Sequence, residues 1–537
     1  MTALLPALLI ASGSVHGITV YEGDRPQRFG VTILDRLPRG LGPNLDLILA
    51  RLTGDQIEHT GVIAGMSGSP VYRNGELIGA VGYRMGSFSR EPIAGITPID
   101  AMRAVLEGKG STAQGSGSTQ RLALPLVSAG LDATVANELG KLLDASGYPK
   151  VRPVMGGGSS GQATPDHLVN GGAIAVELAR GDVDIFATGT VTWTDGKRFL
   201  AFGHPMFGEG EAELPVATAW ISTTLPSPMN AFKISRLGKR VGTMTQDRLP
   251  AIAGQIGPLP RTIPLQLDVG GTPYKVELAW HRAVLPMIAK AIIANALKER
   301  SEFEAGGTLR LTGTIATDHG DLRLDEWAAH PTSTRLAGPL TGALAGYLNT
   351  LINNPIGSLR PRAMYLKIAE QRTIEVESLR DLRVLTPRVR AGEEVVVIVR
   401  LRRYQGGERQ LRLSMKIPRA TVPGPAQLHV CTGSLLDEAD QLTGHGEPPR
   451  RIEAIVDWLN DRHSPNQLAL LALRGGDARS FAEAGSLTSG RIEALAGPSL
   501  DSRSHSFQRL ARGDLVINPG PVTGHLAVPI DILPGVQ

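Results

Sequence analysis

Short apolar runs, many of them alternating with polar residues, recur along this chain, and Gly, Pro, Asn or Asp closes most of them. That pattern predicts strands joined by tight turns. Ile18-Thr19-Val20-Tyr21 and Val31-Thr32-Ile33-Leu34 read as strands with a Gly23-Asp24 turn between them, and Leu45 to Leu52 reads as another. Val71 to Val81 predicts a hairpin bent at Asn74-Gly75, a pair that accepts the positive φ angles of a two-residue turn. Ala173 to Leu178, Asp184 to Trp193 and Arg198 to Phe202 predict further strands, the last two joined at Asp195-Gly196. Glu394 to Leu401 carries too many β-branched residues in succession to favour a helix, and Leu411 to Ile417 alternates in polarity. Helical spacing is confined to Ile99 to Leu106, Leu131 to Ser146, Val284 to Arg300 and Arg451 to Leu459. Thr97 is the expected cap of the first of these, with Pro98 at its first position.

Changes in texture divide the chain. Residues 15–107 are β-rich, and 108–170 read as a linker and a short helical insert, opened by a Gly/Ser/Thr-rich run over 108–120. Residues 171–265 are β-rich again, 266–370 are α+β, 371–435 predict a β-sandwich-like domain, and 436–537 are mixed. A length of 537 residues exceeds what one core supports. Against only 4% aromatic residues stand 64 glycines and 37 prolines, which fits a mainly β fold, α+β overall, better than long helices.

The 55 basic and 51 acidic residues leave a net charge of +4 with no long basic block, so nucleic acid is not an expected partner. The small clusters, Arg360 with Arg362 and Arg400 with Arg402 and Arg403, read as solvated faces. The lone cysteine, Cys431, rules out an internal disulfide or a multi-cysteine metal site and reads as a small buried hydrophobe. There is no phosphate-binding loop, zinc motif or dinucleotide fingerprint, and no cofactor or metal is expected. Leu4 to Ala11, followed by Ser12-Gly13-Ser14, is similar to the apolar part and small-residue end of an export signal, although no Lys or Arg precedes it. It points to the cell envelope, the periplasm or secretion; the alternative reading is a buried segment of a cytoplasmic protein. No apolar run has the length of a transmembrane segment.

The stretch that suggests a reaction is Gly65-Met66-Ser67-Gly68-Ser69-Pro70. A serine in a tight glycine-rich turn exposes its oxygen, and the same turn allows the Gly65 and Ser67 amides to face one spot as an oxyanion hole. This is the layout around the nucleophile of chymotrypsin-like serine proteases. Ser69 reads as structural. Acyl transfer by serine needs a base within reach and a group that orients it. Of the 12 histidines, His204 in Ala201-Phe202-Gly203-His204-Pro205 is best placed, at the end of an apolar strand on a Gly-His-Pro turn. His16 is a rival that would give the order His, Asp, Ser with Asp46 or Asp55 between, but too little chain separates it from Ser67 for a two-barrel protease. His59 reads as a loop residue.

These residues resemble the SpoIVB-type (sporulation stage IV protein B) serine peptidases, relatives of the chymotrypsin-like group. Thr60 to Pro70 resembles the family's nucleophile segment, Gly189-Thr190-Val191-Thr192 through Phe202-Gly203-His204 its histidine segment, and Gly242 to Asp247 with Ala253-Gly254 a further family stretch. The resemblance implies chymotrypsin-like β-barrel peptidase segments, with the C-terminal β-sandwich-like domain added. It implies a serine-type endopeptidase acting on a protein or peptide, with Ser67 as nucleophile and His204 as general base. Asp55 is the nearest match for the family's acid, with Asp46 and Asp247 as competitors. The histidine segment here follows the serine segment, the reverse of the sporulation enzyme, and no PDZ module is recognisable. The competing expectation is a catalytically inactive peptidase-like β scaffold that binds envelope proteins or peptides.

Overall fold

A computed structural model of the chain describes residues 14–86, 91–112, 120–122, 124–148, 151–158, 164–227, 231–299, 306–331, 337–446, 448–475 and 508–535. The export-like run at Leu4 to Ala11 lies outside the described residues. The chain divides into two compact units, one reaching Thr262 and taking in Val276–Ile288, the other comprising Ile263–Lys275 and the chain from Ala289 onward.

The first unit begins with β1 (Val15–Thr19), β2 (Gln27–Gly42), β3 (Leu45–Thr53), α1 (Asp55–Thr60), β4 (Pro70–Arg73), β5 (Glu76–Arg84), β6 (Ile93–Pro98) and α2 (Ile99–Val105). Strands run in the order β4-β1-β2-β3-β6-β5, and β5 pairs back onto β4, so six strands close into a barrel. Its interior holds Ala50, Leu52, Ile63, Met66, Val71, Val81 and Ile96, all fully buried. The expected Asn74-Gly75 bend is present, with φ of 52° and 87° at its two residues, the signs a type I′ turn requires. Closing the ring leaves few sheet edges for other chains to pair with.

There follow β7 (Gln120–Arg121), β8 (Leu124–Ala129), α3 (Ala133–Ala145), β9 (Val151–Met155), β10 (Ala173–Gly181), β11 (Asp184–Thr194), β12 (Arg198–Ala201), β13 (Gly210–Leu225), β14 (Phe232–Arg248) and β15 (Ala251–Ile256). Here β10-β13-β14-β15-β12-β11 form a second ring, closed by pairing of β11 with β10, while β8 and β9 extend outward from β11. Ala80 of β5 and Met102 and Val105 of α2 pack with Leu200 of β12 and Ala251 and Ala253 of β15, so one apolar cluster joins the two barrels. The cap of α2 is Pro98, with no side-chain cap bond. The Thr97 hydroxyl, expected to cap that helix, instead donates to the Gly203 carbonyl at 2.6 Å.

The second unit contains antiparallel strands Gly307–Thr317 and Gly320–His330, with Ala363–Gln371 on the other edge of the first, and a long helix, Ala337–Asn353, that the apolar pattern did not reveal. Beyond these lie a four-stranded and a six-stranded sheet. Val395, Val397, Val399 and Leu401 of one pack with Leu428, Val430 and Leu470 of the other, which makes a β-sandwich. It also uses Gln467–Arg474 and Leu526–Leu533, so the sandwich reaches well past residue 435. Cys431 is buried apart from that core, with Leu435, Leu436 and Ala439 of the helix that follows its strand, and burial pushes its thiol up to about 12.

Candidate active site

The nucleophile loop lies between α1 and β4 of the first barrel. Every carbonyl from Ala64 to Gly68 has a donor. The Lys233 amide donates to Ala64 O at 3.1 Å, the Thr190 amide to Ser67 O at 2.8 Å, and the Ser69 amide to Met66 O at 2.9 Å. Thr190 Oγ1 donates to Gly65 O at 2.9 Å and Thr192 Oγ1 to Gly68 O at 2.7 Å. Ser69 Oγ donates to Met66 O at 2.6 Å, so this hydroxyl locks the turn, as expected of a structural serine. The Met66, Gly68 and Ser69 amides are used inside the fold, donating to Ile63, Val81 and Met66. Among the described residues, the amides of Gly65 and Ser67 have no protein acceptor. Each belongs to a peptide unit whose carbonyl is tied on the opposite side. Ser67 itself is fully buried, and its Oγ has no hydrogen-bond partner among the described residues.

Two glycines make this packing possible. At Gly68, φ is +95°, and a Cβ would lie 2.0 Å from Thr190 O and 2.4 Å from Phe202 N. At Gly65, φ is +96°, and a Cβ would press on the Lys233 stem at 3.1 Å. Only a residue without a Cβ fits the first position, because backbone cannot move aside as a flexible side chain can.

The histidine loop leaves β12 of the second barrel and lies over β5 and β6 of the first. Phe202 adopts φ of +70° and Gly203 +66°. A bulky residue in that region is a strained outlier, of a kind that collects at functional sites. The Phe202 amide donates to Thr190 O at 3.3 Å, and Gly82 of β5 approaches so closely that a Cβ there would lie 2.3 Å from Gly203 O. Ser67 and His204, 137 positions apart, are thus delivered by adjoining loops of two barrels. His204 is fully buried, with Tyr83 edge-on at 6.5 Å and Phe202 at 6.0 Å between ring centres. Its Nδ1 lies 2.8 Å from the Pro205 carbonyl. A carbonyl only accepts, so Nδ1 carries the proton, and the lone pair of the deprotonated ring falls on Nε2. That is the tautomer a general base requires.

The three carboxylates have different positions. Asp55 is the exposed first residue of α1 and makes no bond to His204. Asp46 pairs with Arg36 at 3.0 Å and accepts the Arg39 amide, and that amide bond, with Arg36, holds its carboxyl below the usual range. It stabilises the β2–β3 turn. Asp247 is buried on β14 and accepts the amides of Met206, Phe207 and Gly208 at 2.8, 2.7 and 2.9 Å. Of the three, it is the one built into the histidine loop. His16 stacks on Tyr72 with ring centres 5.6 Å apart, and His59 is exposed on α1.

Residues 6–96 match the family model of the SpoIVB peptidase S55. That stretch takes in nearly all of the first barrel, which is therefore similar to a SpoIVB peptidase S55 segment. The match includes Ser67, Asp46 and Asp55 and stops before His204. Comparison with the curated proteins and with the solved structures gave no match. The family is one of peptidases, which supports peptide-bond hydrolysis in general and a protein substrate. No helix among the described residues is long and apolar enough to cross a membrane.

The loop that carries Ser67 leans on residues that the motif does not contain. Thr190 and Thr192 appear in the sequence as a Thr-x-Thr alternation within β11, and this period puts both hydroxyls on the face toward the loop. Lys233 has no such signal. It occupies an inward position of β14 and is fully buried, where sequence pattern alone would place an apolar residue.

Proposed function

We propose that this chain is a serine endopeptidase with Ser67 as nucleophile and His204 as general base. One observation carries the reading: a buried serine whose Oγ lacks a protein partner and an imidazole with Nδ1 committed to the Pro205 carbonyl come from adjoining loops of two closed barrels. Ser67 Oγ attacks the scissile carbonyl while His204 Nε2 takes its proton. The Gly65 and Ser67 amides receive the oxyanion, each donor being worth about 3–4 kcal/mol in a known protease. Collapse breaks the C–N bond, and the imidazolium returns its proton to the leaving amine. Water then repeats the sequence on the acyl-enzyme. Asp247 holds the histidine loop in register, and the Pro205 carbonyl orients the ring, the task that sequence resemblance gave to Asp55.

The test is labelling by a fluorophosphonate probe alongside casein hydrolysis. The wild-type chain is expected to be labelled at Ser67 and to cleave casein, with Ser67→Ala silent in both assays. His204→Ala should lose at least about 10³-fold in turnover. A folded wild-type chain that takes no label and cleaves nothing would favour the inactive scaffold, a reading to which the complete burial of Ser67 and His204 lends weight.

A further inference from the structure

Lys233 is a wholly buried lysine with no carboxylate bearing on it among the described residues. An unpaired cation in the interior costs stability, and an apolar side chain would fill such a site at no such cost. Its surroundings show what it contacts instead. Nζ donates to the Thr19 hydroxyl of β1 at 2.7 Å and to the Thr190 hydroxyl of β11 at 3.4 Å. The Thr190 hydroxyl in turn donates a hydrogen bond to Gly65 O at 2.9 Å. The Lys233 amide holds Ala64 O, and its aliphatic stem is the surface against which Gly65 is pressed. Across the ladder from β13 stands Thr224, and the ionisable His16 of β1 stacks on Tyr72. Lys233 therefore touches, directly or through one hydroxyl, the two peptide units that flank Gly65.

We propose that Lys233 is a positioning residue for cleavage at Ser67: from behind the loop, through its own amide on Ala64 O and through Nζ and Thr190 on Gly65 O, it fixes the two peptide units that flank Gly65 and so aims the Gly65 amide at the oxyanion. The proposal rests on the serine peptidase reading given above. Burial alone lowers the lysine to about 7. Below that pH it is charged, donates strongly to Thr190 and adds positive potential near the developing negative charge; above it the charge is lost. Turnover should accordingly decline on the alkaline side as Lys233 deprotonates, whereas a histidine base makes it rise from the acid side.

The experiment compares full-length wild type, Lys233→Met, Thr190→Val, Thr190→Ser, His204→Ala and Ser67→Ala by kcat, KM, pH profile and fluorophosphonate labelling, with folding checked by circular dichroism. Lys233→Met and Thr190→Val are expected to lower kcat by about 10–100-fold with KM within about two-fold, and to remove the alkaline decline. Thr190→Ser, which keeps the hydroxyl, should recover most of the rate. If either disrupted variant folds and retains wild-type kcat and pH profile, the proposal is overturned. Should Lys233→Met fail to fold, Thr190→Val, which leaves the lysine in place, decides alone. Loss of labelling in Lys233→Met but not in His204→Ala would make the lysine the base itself and overturn the positioning role. Activity surviving in Ser67→Ala would instead defeat the serine reading; an inactive Ser67→Ala beside wild-type behaviour of both disrupted variants defeats only the lysine proposal.

Discussion

At the residue scale, burial and pairing decide roles that residue type leaves open. Asp247 and Asp55 are chemically alike, yet one accepts three amides of the histidine loop and the other faces solvent at a helix start. Asp247→Asn replaces an acceptor oxygen with an NH₂ that confronts an amide N–H, and should cost about 2–4 kcal/mol of stability and at least about ten-fold in kcat/KM. Asp55→Asn should keep kcat/KM within about two-fold, because its charge is screened by water. Thermal denaturation and steady-state kinetics on the two variants check this, and the opposite order would restore Asp55 to the site. Lys233 gives a prediction with a defined sign. Its folded-state value of about 7 lies below that of an unfolded lysine, so between the two the unfolded chain binds the extra proton. Stability from this group therefore increases as pH rises from neutrality toward 10, and is lowest where the lysine is charged in both states. Melting curves of wild type and Lys233→Met should diverge in slope over that window; parallel curves would contradict the burial argument.

At the element scale, the barrels are held in register by bonds that run from one to the other, and those bonds converge on the site. Thr97 at the end of β6 donates to Gly203 O, while Thr190 and Thr192 of β11 hold Gly65, Ser67 and Gly68. Thr97→Val preserves shape but leaves the buried Gly203 carbonyl without that donor, which should cost about 1–3 kcal/mol. Because the histidine loop loses its anchor on the first barrel, kcat is expected to fall while KM changes little, as steady-state kinetics on the purified variant will report. The same elements explain which predictions succeeded. The 71–81 hairpin, the strands over 173–178 and 184–193 and the helices over 99–106 and 131–146 all form close to where the pattern puts them. Their signals are local: alternation, Asn-Gly, a Pro at a helix start. The role of Thr97 was misjudged because a capping threonine and a threonine that bridges barrels look identical in sequence. The helix Ala337–Asn353 was missed because it is apolar on most sides, with Leu344, Tyr347, Leu348 and Leu351 all buried, and so lacks a clean amphipathic period.

At the scale of the whole first unit, Ser67 and His204, the proposed nucleophile and base, are both sealed from solvent. A probe must therefore await opening of the site. Fluorophosphonate labelling is expected to saturate with probe concentration, at a plateau rate shared by small and large probes, since opening is a property of the protein. Stopped-time labelling across a concentration series measures it, and a linear dependence without a plateau would mean that the serine is openly accessible.

The sequence by itself determined the nucleophile turn, its hairpin and the family likeness of the segment, because glycine, proline and Asn-Gly act over a few residues. It also supplied His204 as a candidate through its Gly-His-Pro context. Tertiary structure alone decided that the two loops adjoin, that the Pro205 carbonyl and not Asp55 contacts the imidazole, and that a lysine lies buried behind Gly65. These depend on contacts such as the bridge between Ala64 and Phe232 and the Thr190 hydroxyl on Gly65 O, which join residues more than a hundred positions apart in the chain, where no local pattern reaches.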